Sequence, residues 1–112
     1  MKNSLTQNSP ADLDAKNKRR MRRIAHHLDP VVSIGDHGMS EGLIGETERA
    51  LTDHELIKVR INVLAREERK ALGIQLAAAC NAAVVQRIGK IIVLFRANPE
   101  PDPKLSNLTR FV

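Results

Sequence analysis

The stretch IGDHGMSEG, Ile34 to Gly42, sets two glycines three positions apart with a serine shortly after them. A Gly-x-x-Gly loop just before a helix lets backbone N–H groups lie against an anion. No side chain projects from the glycines, and a helix N-terminus carries partial positive charge. Gly35, Asp36, His37 and Gly38 are therefore candidate phosphate-contacting residues. On spacing alone, a strand-to-helix turn that needs glycine's positive φ is the commoner explanation. The carboxylate of Asp36 is also an odd neighbour for a phosphate. Gly42 and Gly45 follow one helical turn apart. Either they leave a bare strip that a sugar–phosphate backbone can approach, or they let the helix pack closely on a sheet; both cost helix stability.

Cations form the second candidate site. KNKRRMRR, residues 16 to 23, carries Lys16, Lys18, Arg19, Arg20, Arg22 and Arg23 without an acid. Neighbouring like charges on a helix repel by a few tenths of a kcal/mol per pair, about 0.2–0.5. An anionic partner offsets that repulsion, so Lys18, Arg19, Arg22 and Arg23 are expected to bind one. In LIKVRINV, residues 56 to 63, Lys58 and Arg60 project from one face of a strand. Arg87 is expected to join them from a later hairpin whose turn carries Lys90.

Catalytic chemistry finds no such arrangement. His26, His27, His37 and His54 lack metal-ligand spacing, and Cys80, the single cysteine, lies on an apolar helical stripe. Neither a Walker loop nor a dinucleotide fingerprint is present. The expectation is no catalytic residue, no metal and no cofactor. One cysteine also excludes an internal disulfide and suits a reducing, cytoplasmic setting. The isoelectric point near 9.9 and net charge of +5 favour a polyanionic partner. Aromatic residues are only 2% of the chain, Phe95 and Phe111 with no Trp or Tyr. Base-stacking platforms need exposed aromatics. Recognition is therefore expected to rest on phosphates, 2′-hydroxyls and shape.

The elements that must position these groups are legible in outline. SPAD, residues 9 to 12, reads as a helix start with Ser9 as cap, Pro10 at the first position and Asp12 in the first turn. Met21, Ile24, Ala25 and Leu28 then recur at helical spacing, and Asp29-Pro30 stops the helix. VVSI, residues 31 to 34, suggests a strand buried on both sides. Ser40 caps a second, acidic helix with Leu43, Thr47, Ala50 and Leu51 on its buried stripe. Its acids are expected on an outward face. Ile57, Val59, Ile61 and Val63 alternate along a second strand. A third helix starts near Arg66 with Leu72, Leu76, Ala79, Cys80 and Ala83 on its apolar side, and a hairpin turning at Gly89-Lys90 closes the domain.

The order is α-β-α-β-α-β-β, an α/β single domain with a four-stranded mixed sheet packed with helices: three strands joined through helices run parallel, and the hairpin adds one antiparallel strand. Residues 1–10 read as a disordered segment, 11–96 as the domain, and 97–112 as a Pro-rich extended tail. The longest apolar run, Ile91 to Phe95, is too short to cross a bilayer, and no signal-peptide core opens the chain. Neither a membrane nor a small-molecule substrate is expected as a partner.

LDPVVSIGDHGMSEGLIGETERALTDHELIKVRI followed by VVQRIGKIIVLFR resembles the CRM domain, in particular the small stand-alone bacterial members of the YhbY family. PVVSIG, the Gly-x-x-Gly loop with its helix, HELIKV and QRIGK carry the match. The resemblance implies a fold similar to the C-terminal domain of translation initiation factor three. It implies an RNA-binding protein that meets ribosomal RNA in large-subunit precursors and acts in ribosome assembly; separately, the chain is expected to be a monomer. It places backbone contact at Gly35, Asp36, His37 and Gly38, and a basic surface at Arg19, Arg22 and Arg23. Two other readings remain open: a basic DNA- or chromatin-binding protein such as the Alba group, and a protein-interaction module using the acidic second helix.

Overall fold

The computed structural model describes residues 14–35 and 37–111. The SPAD start and the 1–10 segment lie outside them. The first helix, α1 (Ala15–Ala25), begins at a later cap: the Asp14 side chain accepts a hydrogen bond from Asn17 N at 2.8 Å. Its ladder ends before Pro30 by tightening into three-residue turns, His27 N to Ile24 O and Leu28 N to Ala25 O. There follow β1 (Pro30–Ile34), α2 (Glu41–His54), β2 (Leu56–Ile61), α3 (Arg66–Ala79), β3 (Ala83–Ile88), β4 (Ile91–Phe95) and a short α4 (Asn107–Arg110).

The sheet order is β1-β2-β4-β3. β1 runs parallel to β2, and β4 inserts between β2 and β3, antiparallel to both. Three strands thus share one direction and one opposes them, as the connections require. Only Gly89 of the two hairpin-turn residues has positive φ, +56°, the pattern of a type II′ turn.

Helices cover both faces. Ile57, Val59, Ile61, Ile92 and Leu94 face α2 and α3, meeting Leu43, Leu51, Leu76, Ala77 and Cys80. Leu56, Val85 and Val93 face α1 through Met21, Ile24 and Ala25, with Phe95 and Leu108 packed alongside. α3 reaches the sheet through a glycine: a Cβ on Gly73 would lie 2.8 Å from the Ile92 Cδ1 methyl. Two expected stripes change here. On α3, Gly73 and Ala77 join Leu76 and Cys80 inside, whereas Ala79 is exposed and Ala83 opens β3. β1 is an edge strand with alternating burial rather than a doubly covered one, and Val31 is 48% exposed. Two-sided burial needs a neighbour and a helix on each side, and β1 pairs only with β2.

α2 and β2 are joined by one residue, Glu55, whose φ of +62° turns the chain where no loop is available. A side chain in that region costs on the order of 1 kcal/mol. Its buried carboxylate holds the C-terminal segment in place. Oε1 accepts from Ser106 Oγ at 2.6 Å and Oε2 from Asn98 N at 2.7 Å. Asn107 Nδ2 donates to Leu56 O at 2.7 Å, and His54 Nδ1 donates to Leu105 O at 2.9 Å. The segment after Arg96 therefore docks under the sheet and ends in α4, with Ser106 fully buried. Among the described residues no helix is long and apolar enough to cross a membrane.

Glu55→Ala leaves a buried hydroxyl and a backbone N–H without acceptors, at about 1–3 kcal/mol each. Urea unfolding of this variant should show a loss of about 2–4 kcal/mol, with trypsin cutting after Lys104 in the still-folded protein.

Candidate nucleic-acid interface

Because β1, β2 and β3 run the same way, their C-terminal ends and the hairpin turn share one end of the sheet. Asn62 N donates to Ile34 O at 2.9 Å and Ile61 N to Lys90 O at 2.7 Å, fastening the three exits together. The Gly-x-x-Gly loop and the N-termini of α2 and α3 sit at this end, where ligands of open parallel sheets characteristically bind.

Gly38 N donates to Gly35 O at 3.1 Å, closing the loop into a turn, and Gly38 has φ of +66°. The turn requirement is thus real at Gly38. Gly35 has no such constraint, and a Cβ there would meet nothing within 4 Å. His37 is exposed, and Asp36 lies outside the described residues. Ser40 caps α2 by accepting from Leu43 N at 3.1 Å. Gly42 and Gly45 are both exposed; a Cβ on Gly45 would meet nothing within 4 Å, and one on Gly42 only the Ser40 Oγ at 4.0 Å. Close packing on the sheet is therefore not what they serve, and the strip they leave is open.

The basic residues divide into supports and free charges. Arg20 Nη2 donates to Leu108 O at 2.8 Å, fixing α1 to α4. Arg96 donates to Cys80 O at 2.9 Å and Thr52 Oγ1 at 3.0 Å and pairs with Glu48, tying the end of β4 to α2 and α3. Arg69 donates to Val63 O, Leu64 O and Gly89 O. Among the described residues Arg96–Glu48 is the only ion pair. Lys18, Arg19, Arg22 and Arg23 on α1, Lys58 and Arg60 on β2, and Arg87 and Lys90 of the hairpin have no carboxylate partner there. The acids of this stretch are not all free on an outward face: Glu48 of α2 pairs with Arg96, and Glu55, just after α2, is buried against Ser106.

Register decides which free charges meet. Lys58 pairs with Val93, and Arg60 with Ser33 and Ile91, so both project on the α1 side. α1 covers only part of that side. Beyond it, Arg22, His26, Lys58, Gln86 and Ile88 line a hollow of about 220 Å³, and Ile88 is 61% exposed. Arg87 does not join this group. A bulge between Val84 and Gln86 sets Gln86 opposite Val93 and Arg87 opposite Ile92, which faces α3. A regular hairpin would pair Arg87 with Ile91, beside Arg60; the extra residue inverts the alternation. Arg87 and Lys90 instead line a cleft with Arg66 and Lys70 of α3. Those two α3 residues were not read as site residues, although their i, i+4 spacing after a strand is visible in the sequence.

Cys80 is fully buried, and burial pushes its thiol above the ordinary value. Glu48 adds to that rise and Arg96 opposes it. It packs in the core between the sheet and α3, with Sγ 4.0 Å from Ile44 O. Among the described residues no cluster of His, Cys, Asp and Glu could hold a metal.

A four-stranded mixed sheet covered by helices, with a Gly-x-x-Gly loop at the end where β1 exits, defines a compact α/β domain. The chain belongs to the CRS1/YhbY (CRM) domain family, whose model matches residues 13–96. It is 43% identical over 99 residues to a probable RNA-binding protein of Pseudomonas aeruginosa, covering 88% of this chain and 95% of that one. It is 42% identical over 93 residues to an RNA-binding protein of Haemophilus influenzae, covering 83% and 94%. The solution structure of a hypothetical protein from Staphylococcus aureus, described as a candidate RNA-binding protein, superposes with TM-score 0.70 at 36% identity, covering 79% of this chain and 92% of that one.

Since its Cβ meets nothing, Gly45→Ala should raise stability by about 0.5–1 kcal/mol through helix propensity alone. Thermal unfolding monitored by circular dichroism reads this directly; a lowered Tm would mean that the strip is packed after all.

Proposed function

We propose that the protein binds RNA without catalysis, as a monomer, and that its target is ribosomal RNA in large-subunit precursors. One observation carries this reading: Arg22 of α1 and Lys58 of β2 line one hollow on the α1 side of the sheet, and Arg60 projects on the same side, paired with Ser33 two residues before Gly35. A sugar–phosphate backbone approaching this end meets the α2 N-terminus, then cations that have no carboxylate partner among the described residues. Both aromatic residues are poor stacking platforms in this frame: Phe95 packs against the α1 cluster, and Phe111 lies under the Arg110 guanidinium, 5.5 Å from its ring centroid. Affinity then rests on phosphates and helical shape rather than on base stacking. The relatives named as RNA-binding proteins support RNA as the polyanion, and the family resemblance supports the ribosomal target.

Binding of this kind releases counterions, so affinity for a stem-loop RNA should fall steeply with salt. Arg19→Ala/Arg22→Ala/Arg23→Ala should flatten the log K against log salt slope by about 2–3. An unchanged slope would remove α1 from the interface. The ribosomal reading has its own readout: in extract sedimented on a gradient, the protein should travel with precursors of the large subunit and stay at the top after RNase treatment. Migration with chromosomal DNA, displaced by DNase, would favour the chromatin alternative.

A further inference from the structure

On the side of the sheet away from α1, the first turns of α3 and the β3–β4 hairpin enclose an open cleft of about 560 Å³. Four exposed cations border it, Arg66 and Lys70 from α3 and Arg87 and Lys90 from the hairpin, against one acid, Glu67. Among the described residues none of these four side chains has a carboxylate or a hydrogen-bond partner. A fifth cation, Arg69, builds the wall instead: its guanidinium binds Gly89 O at 3.1 Å, Val63 O at 2.9 Å and Leu64 O at 2.8 Å. That clamp fixes the hairpin tip to the chain between β2 and α3, so the four free charges stand on a braced frame. The cap residue of α3, Ala65, has no side chain to satisfy the first N–H groups, which adds positive potential at the same end.

Four like charges converging on one cleft repel one another unless an anion sits among them. We infer that this cleft is a second RNA-contact site, taking the phosphodiester backbone of a segment other than the one at the Gly35–Gly38 loop and the α1-side face. The inference rests on the RNA-binding reading above and extends it to the opposite side of the sheet. The bulge at Val84–Gln86 makes the arrangement possible, because it turns Arg87 away from Arg60 and toward α3. An RNA that reaches both surfaces straddles the hairpin tip. A free nucleotide fits the cleft less well: no aromatic residue lines it for a base, and its lining lacks a glycine-rich phosphate loop.

Salt titrations of the full chain with a long stem-loop RNA test the cleft. Arg66→Ala/Lys70→Ala should reduce the slope by about two and the affinity roughly tenfold or more at about 100 mM salt, with the melting temperature held. Arg87→Gln/Lys90→Gln, on the other wall, should do the same, so that a folding defect in one variant leaves the other to decide. Lys58→Ala/Arg60→Ala should weaken binding independently, and its effect should add to that of either cleft variant. Wild-type affinity and slope in both cleft variants, with Lys58→Ala/Arg60→Ala still impaired, would overturn the second site and leave RNA binding intact. No RNA binding by the wild type would overturn both. If ATP shifts the amide resonances of Arg66 and Lys70 while RNA leaves them in place, the cleft belongs to a nucleotide and the inference fails.

Discussion

The architecture depends on a single-residue junction. Glu55 alone separates the last turn of α2 from the first residue of β2, and it reaches that geometry with a positive φ that side chains rarely adopt. Strain of this kind persists only where the surroundings over-determine it. Here they do. The Glu55 N–H closes α2 on Leu51 O, its carbonyl accepts from Arg96 N, and its carboxylate holds Asn98 and Ser106. One residue thus joins a helix, a strand exit and the C-terminal segment. β2 is consequently anchored at its start, and β2 is the strand on which β1 and β4 both assemble.

The placement of the candidate site follows from that anchored strand. With β2 fixed, parallel β1 must deliver its Gly-x-x-Gly loop at the end where β2 exits, and antiparallel β4 must start there. Helices α2 and α3 then both begin at the same end, each adding the positive pole of its dipole. No single side chain causes this clustering. It is a consequence of strand direction, and side-chain register then sorts the cations onto the two faces. The β3 bulge determines that sorting for Arg87: a side-chain alternation inverted by one residue moves it across the sheet.

Much of this was legible in the sequence, for identifiable reasons. β2 was plain because its pattern has a period of two, and Leu43, Thr47 and Leu51 on α2 were plain because theirs is helical. The fold class followed from helical connections between strands. Burial of β1 was misread because a short run of β-branched residues looks the same at an edge as in the centre; only pairing distinguishes them. The bulge was invisible, since Val84, Val85 and Gln86 carry no glycine or proline to mark it. The docked C-terminal segment was hidden for another reason. Its anchors are Ser106 and Asn107, polar residues whose burial becomes favourable only because Glu55 and Leu56 O are waiting far away in the sequence.

The cations show why composition alone could not locate the interface. Arg20, Arg69 and Arg96 look like their neighbours in the sequence, yet each directs its guanidinium to backbone carbonyls at a junction between elements. Guanidinium suits this work, with planar donors that satisfy several acceptors while staying charged. An RNA surface built on such a frame gains twice. Arg69 fastens the hairpin tip at the end where β2 exits, so less order must be imposed there when a phosphate backbone arrives. Among the described residues the remaining lysines and arginines have no carboxylate partner and need not break an ion pair to meet it. On the proposed function, a basic protein almost without aromatics meets RNA by charge placement, and strand direction and the β3 bulge set where those charges stand.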